Sequence, residues 1–153
     1  MPLNNLFKNC LYYWGFGFFV GYFINHPNYN EPYFKEYQVV TCLTLFLLCE
    51  IGNLSIHLLL RDIRPKDSTI RNIPMPNSNP FTELFKFVSC PNYTYEIGCW
   101  LSFSSMTQSL PALIFTSVGF LQMSIWAFEK HRRYKKEFEN YPSNRKALIP
   151  FIF

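Results

Sequence analysis

Tyr95–Phe128, "YEIGCWLSFSSMTQSLPALIFTSVGFLQMSIWAF", is a run of 34 residues with no charged side chain between Ile97 and Ala127. A single helix crosses a bilayer core with about 20 mostly apolar residues, so the run is too long for one upright span. Pro111 lies near its middle, and proline interrupts a helix interior but is tolerated in a first turn. The stretch therefore reads as a hairpin of two helices turning near Gln108 to Pro111.

Uncharged windows also occupy Gly15 to Asn30 and Val39 to Leu48, in a chain of 153 residues that is 49% hydrophobic, 20% aromatic and 16% charged. The mean hydropathy of −0.00 averages these windows with very polar connectors and many tyrosines, which favour the membrane–water boundary. Cys10 to Ile24, "CLYYWGFGFFVGYFI", reads as a helix with aromatic interface anchors, and Tyr37 to Leu60 as a second span containing Glu50, Asn53 and His57. Polar groups inside a bilayer segment are costly and usually face a protein interior. His26 to Glu36 and the basic, proline-rich Arg61 to Pro80 read as loops, and Phe81 to Val88 as a brief amphipathic piece. The predicted fold class is all-α, an integral membrane bundle of four transmembrane helices forming one domain over residues 1–153.

Lysine and arginine are retained on the cytoplasmic side. Arg61, Arg64, Lys66 and Arg71 share one connector, and Lys130, Arg132, Arg133, Lys135 and Lys136 share the tail. An even number of crossings must separate the two groups, and the hairpin supplies two. Counting backward places the His26 to Glu36 loop in the lumen and both termini in the cytoplasm. No cleavable signal pattern is read at the N-terminus. The net charge of +4 is modest and gathers at window ends, which favours the bilayer surface and anionic ligands as partners over nucleic acid. Five cysteines without a C-x-x-C pair read as buried thiols, with no zinc site expected.

Gly15, Gly17 and Gly21 in "GFGFFVG" come near a dinucleotide fingerprint, but the spacing is one residue too long and no strand precedes it. Gly17 and Gly21 instead fit the small-residue pattern of close helix packing. In "CEIGNLSIHLLLRDIRP", Asn53, His57, Arg61 and Arg64 recur at helical steps, so one face carries an amide, an imidazole and two guanidiniums. That stripe could hold phosphates; the plain alternative is positive-inside charge with Asn53 and His57 as interhelical partners. In "SCPNYTYEIG", Asn92, Tyr93 and Glu96 come together if a helix begins near Pro91. A held tyrosine can donate a proton, whereas the plain alternative is interfacial aromatics with a glutamate favouring the helix dipole. His131 and Tyr134 lie three apart among five cations in the tail, a pattern that either meets lipid headgroups or closes over a nucleotide. Asn53 and Asn92 each begin a glycosylation sequon, but the topology places neither in the lumen.

"CEIGNLSIHLLLRDIRP", "NPFTELFKFVSCPNYTYEIGCW", "QMSIWAFEKHRRYKKEFENYP" and "PFIF" together resemble the very-long-chain trans-2-enoyl-CoA reductases of the steroid 5α-reductase superfamily. The similarity extends over essentially the whole chain, and the ending "RKALIPFIF" is also similar to steroid 5α-reductases themselves. The resemblance implies a multi-helix endoplasmic-reticulum enzyme that uses NADPH to saturate a very-long-chain trans-2-enoyl-CoA, the last step of each fatty-acid elongation cycle, with other elongation enzymes as partners. By position it implies Tyr93 as the catalytic tyrosine with Glu96, and Asn53, His57, Arg61, Arg64, Asn92, Tyr95, His131 and Tyr134 as the cofactor-binding group. His57 departs from the steroid enzymes, which carry an acid there. The family also has an N-terminal ubiquitin-like domain and further helices, so the chain reads as the C-terminal part of such an enzyme. A steroid or polyprenol reductase, and a catalytically silent scaffold of the elongation complex, are the alternatives.

Overall fold

A computed structural model of the protein describes residues 3–64 and 72–153. Within them run α1 (Leu3–Ile24), α2 (Lys35–Asp62), a short 3-10 helix (Pro80–Lys86), α3 (Pro91–Thr107) and α4 (Leu110–Glu137). The hairpin turns where the sequence places it: Gln108 caps α3 in the left-handed conformation at φ 45°, Ser109 precedes α4, and Pro111 occupies its first turn. The helices run past their expected ends, because α1 begins seven residues before Cys10 and α4 carries the basic tail segment through to Glu137. Lys66 and Arg71 lie outside the described residues.

α2 and α3 form the best-packed pair, and glycines explain why. A Cβ at Gly52 would meet the ring of Tyr95 at 2.5 Å, and one at Gly98 would meet Cys49 Sγ at 2.6 Å. Farther along, Gln38 Nε2 donates to Ser105 O at 2.5 Å. As the residue numbers rise on one helix they fall on the other, so the two run antiparallel with Asn53 level with Asn92 to Tyr95. Tyr95 O–H donates to Phe81 O at 2.9 Å, which ties the 3-10 helix to the same joint. Hydroxyls then join α3 to α4: Thr116 Oγ1 lies 2.7 Å from Ser104 Oγ and 3.2 Å from Trp100 O.

α1 behaves differently, with no buried residue of its own. It leans on the bundle through aromatic rings, Phe16 and Tyr12 meeting Phe115 at centroid distances of 4.9 and 5.7 Å. The expectation of close packing at Gly17 and Gly21 is therefore corrected. Nothing lies within 4 Å of a Cβ built at either position, because the interposed rings hold α1 away from α3 and α4. The glycines line a cavity of about 300 Å³ together with Phe16, Trp100, Phe103 and Phe115.

Both ends of the bundle are closed by polar contacts. At one end Tyr29 O–H donates to Thr107 O at 2.6 Å and the Tyr33 N–H donates to Gln108 Oε1 at 2.8 Å. At the other, Val88 pairs with Lys146 in a parallel bridge, and Asn79 Nδ2 donates to Ser55 Oγ at 3.0 Å. The cations of α2's end and of α4's end thus share one end of the molecule, as the charge count requires.

The flanks are apolar, with Phe18, Leu54 and Leu121 exposed by 78%, 60% and 63%. Water-soluble monomers rarely present such continuous surface, whereas lipid accepts it. Among the described residues two helices, α2 and α4, are long and apolar enough to cross a bilayer. α3 has 17 residues, a length of about 25 Å against a hydrocarbon core of about 30 Å. Among the described residues the fold is all-helical and membrane-embedded in character, and the expected four crossings are met by this measure at α2 and α4.

The contrast between glycines is measurable. Gly52→Ala should cost about 1–3 kcal/mol through overpacking, offset by up to about 1 kcal/mol of helix propensity, and so lower the unfolding temperature in detergent. Gly17→Ala and Gly21→Ala should hold or raise it. Equal melting temperatures for all three variants would contradict the α2–α3 contact.

Candidate active site at the charged end of the bundle

The head of α3 is built by its own sequence. Pro91 fixes φ in the first turn and is fully buried, as is Cys90 before it. The next residues therefore enter the helix with Asn92 turned inward, 5% exposed, and Tyr93 half-buried. Cys90, Ala127, Ala147 and Leu148 form a small core against which Tyr93 and Ile97 pack. Tyr93 also sets its ring 6.3 Å from that of Trp126 on α4.

The tail beyond α4 completes this floor. Its residues 145–148 return to the head of α3, where the Cys90 N–H donates to Ala147 O at 3.2 Å and Thr94 Oγ1 donates to Leu148 O at 2.6 Å. Arg145 is 2% exposed and donates to Pro74 O at 3.0 Å, joining the tail to the segment that follows α2. The apolar ending is thus a strap that fixes Tyr93 from below. Ser89, Thr94, Tyr141 and Arg145 were not picked out in the sequence, since single polar residues carry no periodicity; the pairing of "SC" with "KA" appears only in three dimensions.

Two of the expected residues have a specific electrostatic feature in common. Asn53 Oδ1 and Asn92 Oδ1 are buried and have no hydrogen-bond partner among the described residues. Such an atom costs about 1–3 kcal/mol when left unsatisfied, so its presence at the same level of two packed helices is informative. Both sequon asparagines are set inside helices. Tyr93 is the complementary case: its hydroxyl makes no hydrogen bond to the described residues and is not enclosed.

The other expected residues divide. Glu96 is half-buried and lines a cavity of about 310 Å³ with Tyr12, Trp100, Phe115, Met123 and Trp126. That cavity and the glycine-lined one share Tyr13, Trp100 and Phe115. Among the expected residues Glu96 alone lines either of these two. His131 is buried at the charged end, its Nδ1 2.5 Å from Ser89 Oγ. Tyr134 packs beside it, 5.7 Å from Tyr141 and under the ammonium of Lys130 at 5.6 Å. Tyr95 faces the α2–α3 joint with its hydroxyl committed to Phe81. His57, Arg61 and Arg64 are exposed on the outer side of α2's end, and Arg61 pairs with its neighbour Asp62 at 2.8 Å. The register of α2 and α3 therefore sets Asn53 level with Asn92 and Tyr93, while Glu96 faces the cavity, His131 and Tyr134 sit at the same end, and the guanidiniums stay outside.

A lipid-facing helical bundle with two orphaned amide oxygens, Asn53 Oδ1 and Asn92 Oδ1, near its charged end is the class of protein that the fold and these residues define. The match to the sequence family described as 3-oxo-5-alpha-steroid 4-dehydrogenase covers residues 1–153, and the chain belongs to that family. It is 58% identical over 152 residues to a probable very-long-chain enoyl-CoA reductase of Caenorhabditis elegans, covering 99% of this chain and 49% of the relative. It is 50% identical to a very-long-chain enoyl-CoA reductase of Dictyostelium discoideum, covering 99% and 48%, and 49% identical to a trans-2,3-enoyl-CoA reductase-like protein of Mus musculus, covering 99% and 42%. The chain spans less than half the length of each of these relatives. The resemblance read from the motifs is borne out.

Asn92→Leu tests whether the orphaned amide is structural. Removing an unsatisfied buried acceptor should leave the unfolding temperature of the ligand-free protein unchanged or raised by about 1 kcal/mol. A loss of stability above that size in a detergent thermal melt would mean that Asn92 supports the fold itself.

Proposed function

We propose that the chain forms the cofactor-facing part of an NADPH-dependent very-long-chain trans-2-enoyl-CoA reductase of the endoplasmic-reticulum membrane, serving the last step of fatty-acid elongation, with both ends of this chain in the cytoplasm. The observation that carries the reading is Tyr93: a half-buried tyrosine whose hydroxyl has no hydrogen-bond partner among the described residues, beside the orphaned amide of Asn92. The relatives named as enoyl-CoA reductases support the substrate class.

The residues present fit the cofactor. Asn53 Oδ1 and Asn92 Oδ1 are acceptors awaiting donors, and a nicotinamide carboxamide offers two N–H groups. When bound, NADPH supplies the hydride that reduces the β-carbon of the substrate. Around it the protein has electrostatic work to do. Negative charge grows on the thioester oxygen as the conjugated double bond is reduced, and a donor held in place stabilises that charge where it appears. Tyr93 O–H is the donor in this reading, held by Trp126 and the strap. Glu96 orients groups at the cavity that α1 closes, and the apolar space walled by Trp100 and Phe115 receives the acyl chain. His131 and Tyr134 border the nucleotide at the charged end, Arg61 and Arg64 give that end its positive field, and His57 lies on the same helix face.

Purified in detergent and supplied with NADPH, a long trans-2-enoyl-CoA should be turned over with loss of nicotinamide absorbance, and a steroid enone should not. Tyr93→Phe should lower kcat by about 100-fold or more while leaving NADPH binding intact; Asn92→Leu should weaken NADPH binding. Turnover that survives Tyr93→Phe, or a chain inert toward NADPH and both substrates, would overturn the reading, the second outcome in favour of a silent scaffold.

A further inference from the structure

Ser89, His131 and Tyr141 form a buried polar chain that none of the roles above explains. Ser89 Oγ lies 2.5 Å from His131 Nδ1 and 2.6 Å from Tyr141 OH. The three residues are 1%, 7% and 9% exposed, and they come from the approach to α3, the last turns of α4 and the tail. Nothing local brings them together, so the strap that docks residues 145–148 is what assembles the chain.

Counting protons leaves two arrangements. Ser89 Oγ has one hydrogen and two acceptors in reach, His131 Nδ1 and, at 3.2 Å, Lys146 O, which keeps a second lone pair although it accepts the Ser89 backbone N–H at 2.9 Å. The shorter contact, His131 Nδ1, favours the arrangement in which Ser89 O–H donates to Nδ1 and Tyr141 O–H donates to Ser89 Oγ. With Nδ1 acting as acceptor, a neutral imidazole must carry its hydrogen on Nε2. Nε2 makes no hydrogen bond to the described residues and is not enclosed. Tyr141 is fixed as well, since the Arg145 guanidinium lies 5.3 Å from its ring centroid while its Nη1 is anchored on Pro74 O.

We propose that Ser89 and Tyr141 are positioning residues that lock His131 in the Nε2–H form, so that it presents one fixed donor to an oxygen of the bound nucleotide. The proposal rests on the reductase reading for the identity of that ligand, and on geometry alone for the lock. Without Ser89 the ring exchanges its hydrogen between two nitrogens. Part of the time it then turns a lone pair toward an oxygen lone pair, which repels where the locked form binds.

The chain has three histidines, His26, His57 and His131, so side-chain nitrogen NMR of histidine-labelled protein in detergent at mildly alkaline pH reads each ring, with His131→Gln assigning the third. Wild-type His131 should show an unprotonated Nδ1 and a protonated Nε2. Ser89→Ala should average the two signals and weaken NADPH binding roughly fivefold to tenfold, Ser89→Thr should restore both, and Tyr141→Phe should give an intermediate spectrum. A wild-type ring that is already averaged, or protonated on Nδ1, overturns the lock whether or not the enzyme is active. An unchanged spectrum in a helical, folded Ser89→Ala protein overturns it too. A locked ring in a protein whose NADPH affinity ignores Ser89→Ala overturns the nucleotide half, while failure of the reductase reading is registered separately by the turnover assay and leaves the ring signals as they are.

Discussion

The contact between Gly52 and the ring of Tyr95 is the constraint on which the remainder of the bundle depends. No side chain larger than hydrogen fits at Gly52 without displacing the ring, and the ring cannot swing away freely because its hydroxyl is tied to Phe81. The pair fixes how α2 slides along α3. That sliding position is what brings Asn53 level with Asn92 to Tyr95. In a lipid environment there is no hydrophobic drive between helices, so the register must come from close fit and hydrogen bonds, and both are concentrated at this joint. Cys49 against Gly98 repeats the device one turn farther on.

A second layer of order comes from the end of the chain. Ala147 and Leu148 fill the gap between α3 and α4, while the backbone of residues 146–147 exchanges hydrogen bonds with that of residues 87–90. The same few residues thereby support Tyr93, complete the Ser89–His131–Tyr141 chain and anchor the segment at Pro74. Polar groups that would be costly if left alone in a low-dielectric region satisfy one another. Among the described residues Asn53 Oδ1, Asn92 Oδ1 and, in the strap itself, Arg145 Nε are buried there without a hydrogen bond.

The larger features of the fold were legible because they are written in long patterns. The uncharged run from Ile97 to Ala127 and the proline inside it gave the hairpin and its turn, and the clustering of lysine and arginine gave the common end for α2 and α4. Pro91 marked the start of α3, and so the inward face of Asn92. Patterns of spacing failed where distance between helices mattered: Gly17 and Gly21 have the right interval for packing, yet the aromatic rings of Tyr12 and Phe16 reach Phe115 first and hold α1 off. The stripe of Asn53, His57, Arg61 and Arg64 is a real helix face, but periodicity carries no information about which end of the stripe the neighbouring helix covers. α3 covers Asn53 and ends before it reaches His57, so the imidazole and both guanidiniums stay in the open.

The returning strap has a consequence for how the protein is put into a membrane. Residues 74–90 and residues 141–148 meet at one end of the bundle, so the hairpin of α3 and α4 begins and ends there. A molecule in which one of them had been threaded and the other had not would hold Arg145 and Leu148 across the bilayer from their partners. Arg145 would lose Pro74 O, and Leu148 would lose the apolar bed that buries it completely. The strap therefore closes only on a hairpin whose two ends have come back to the same side.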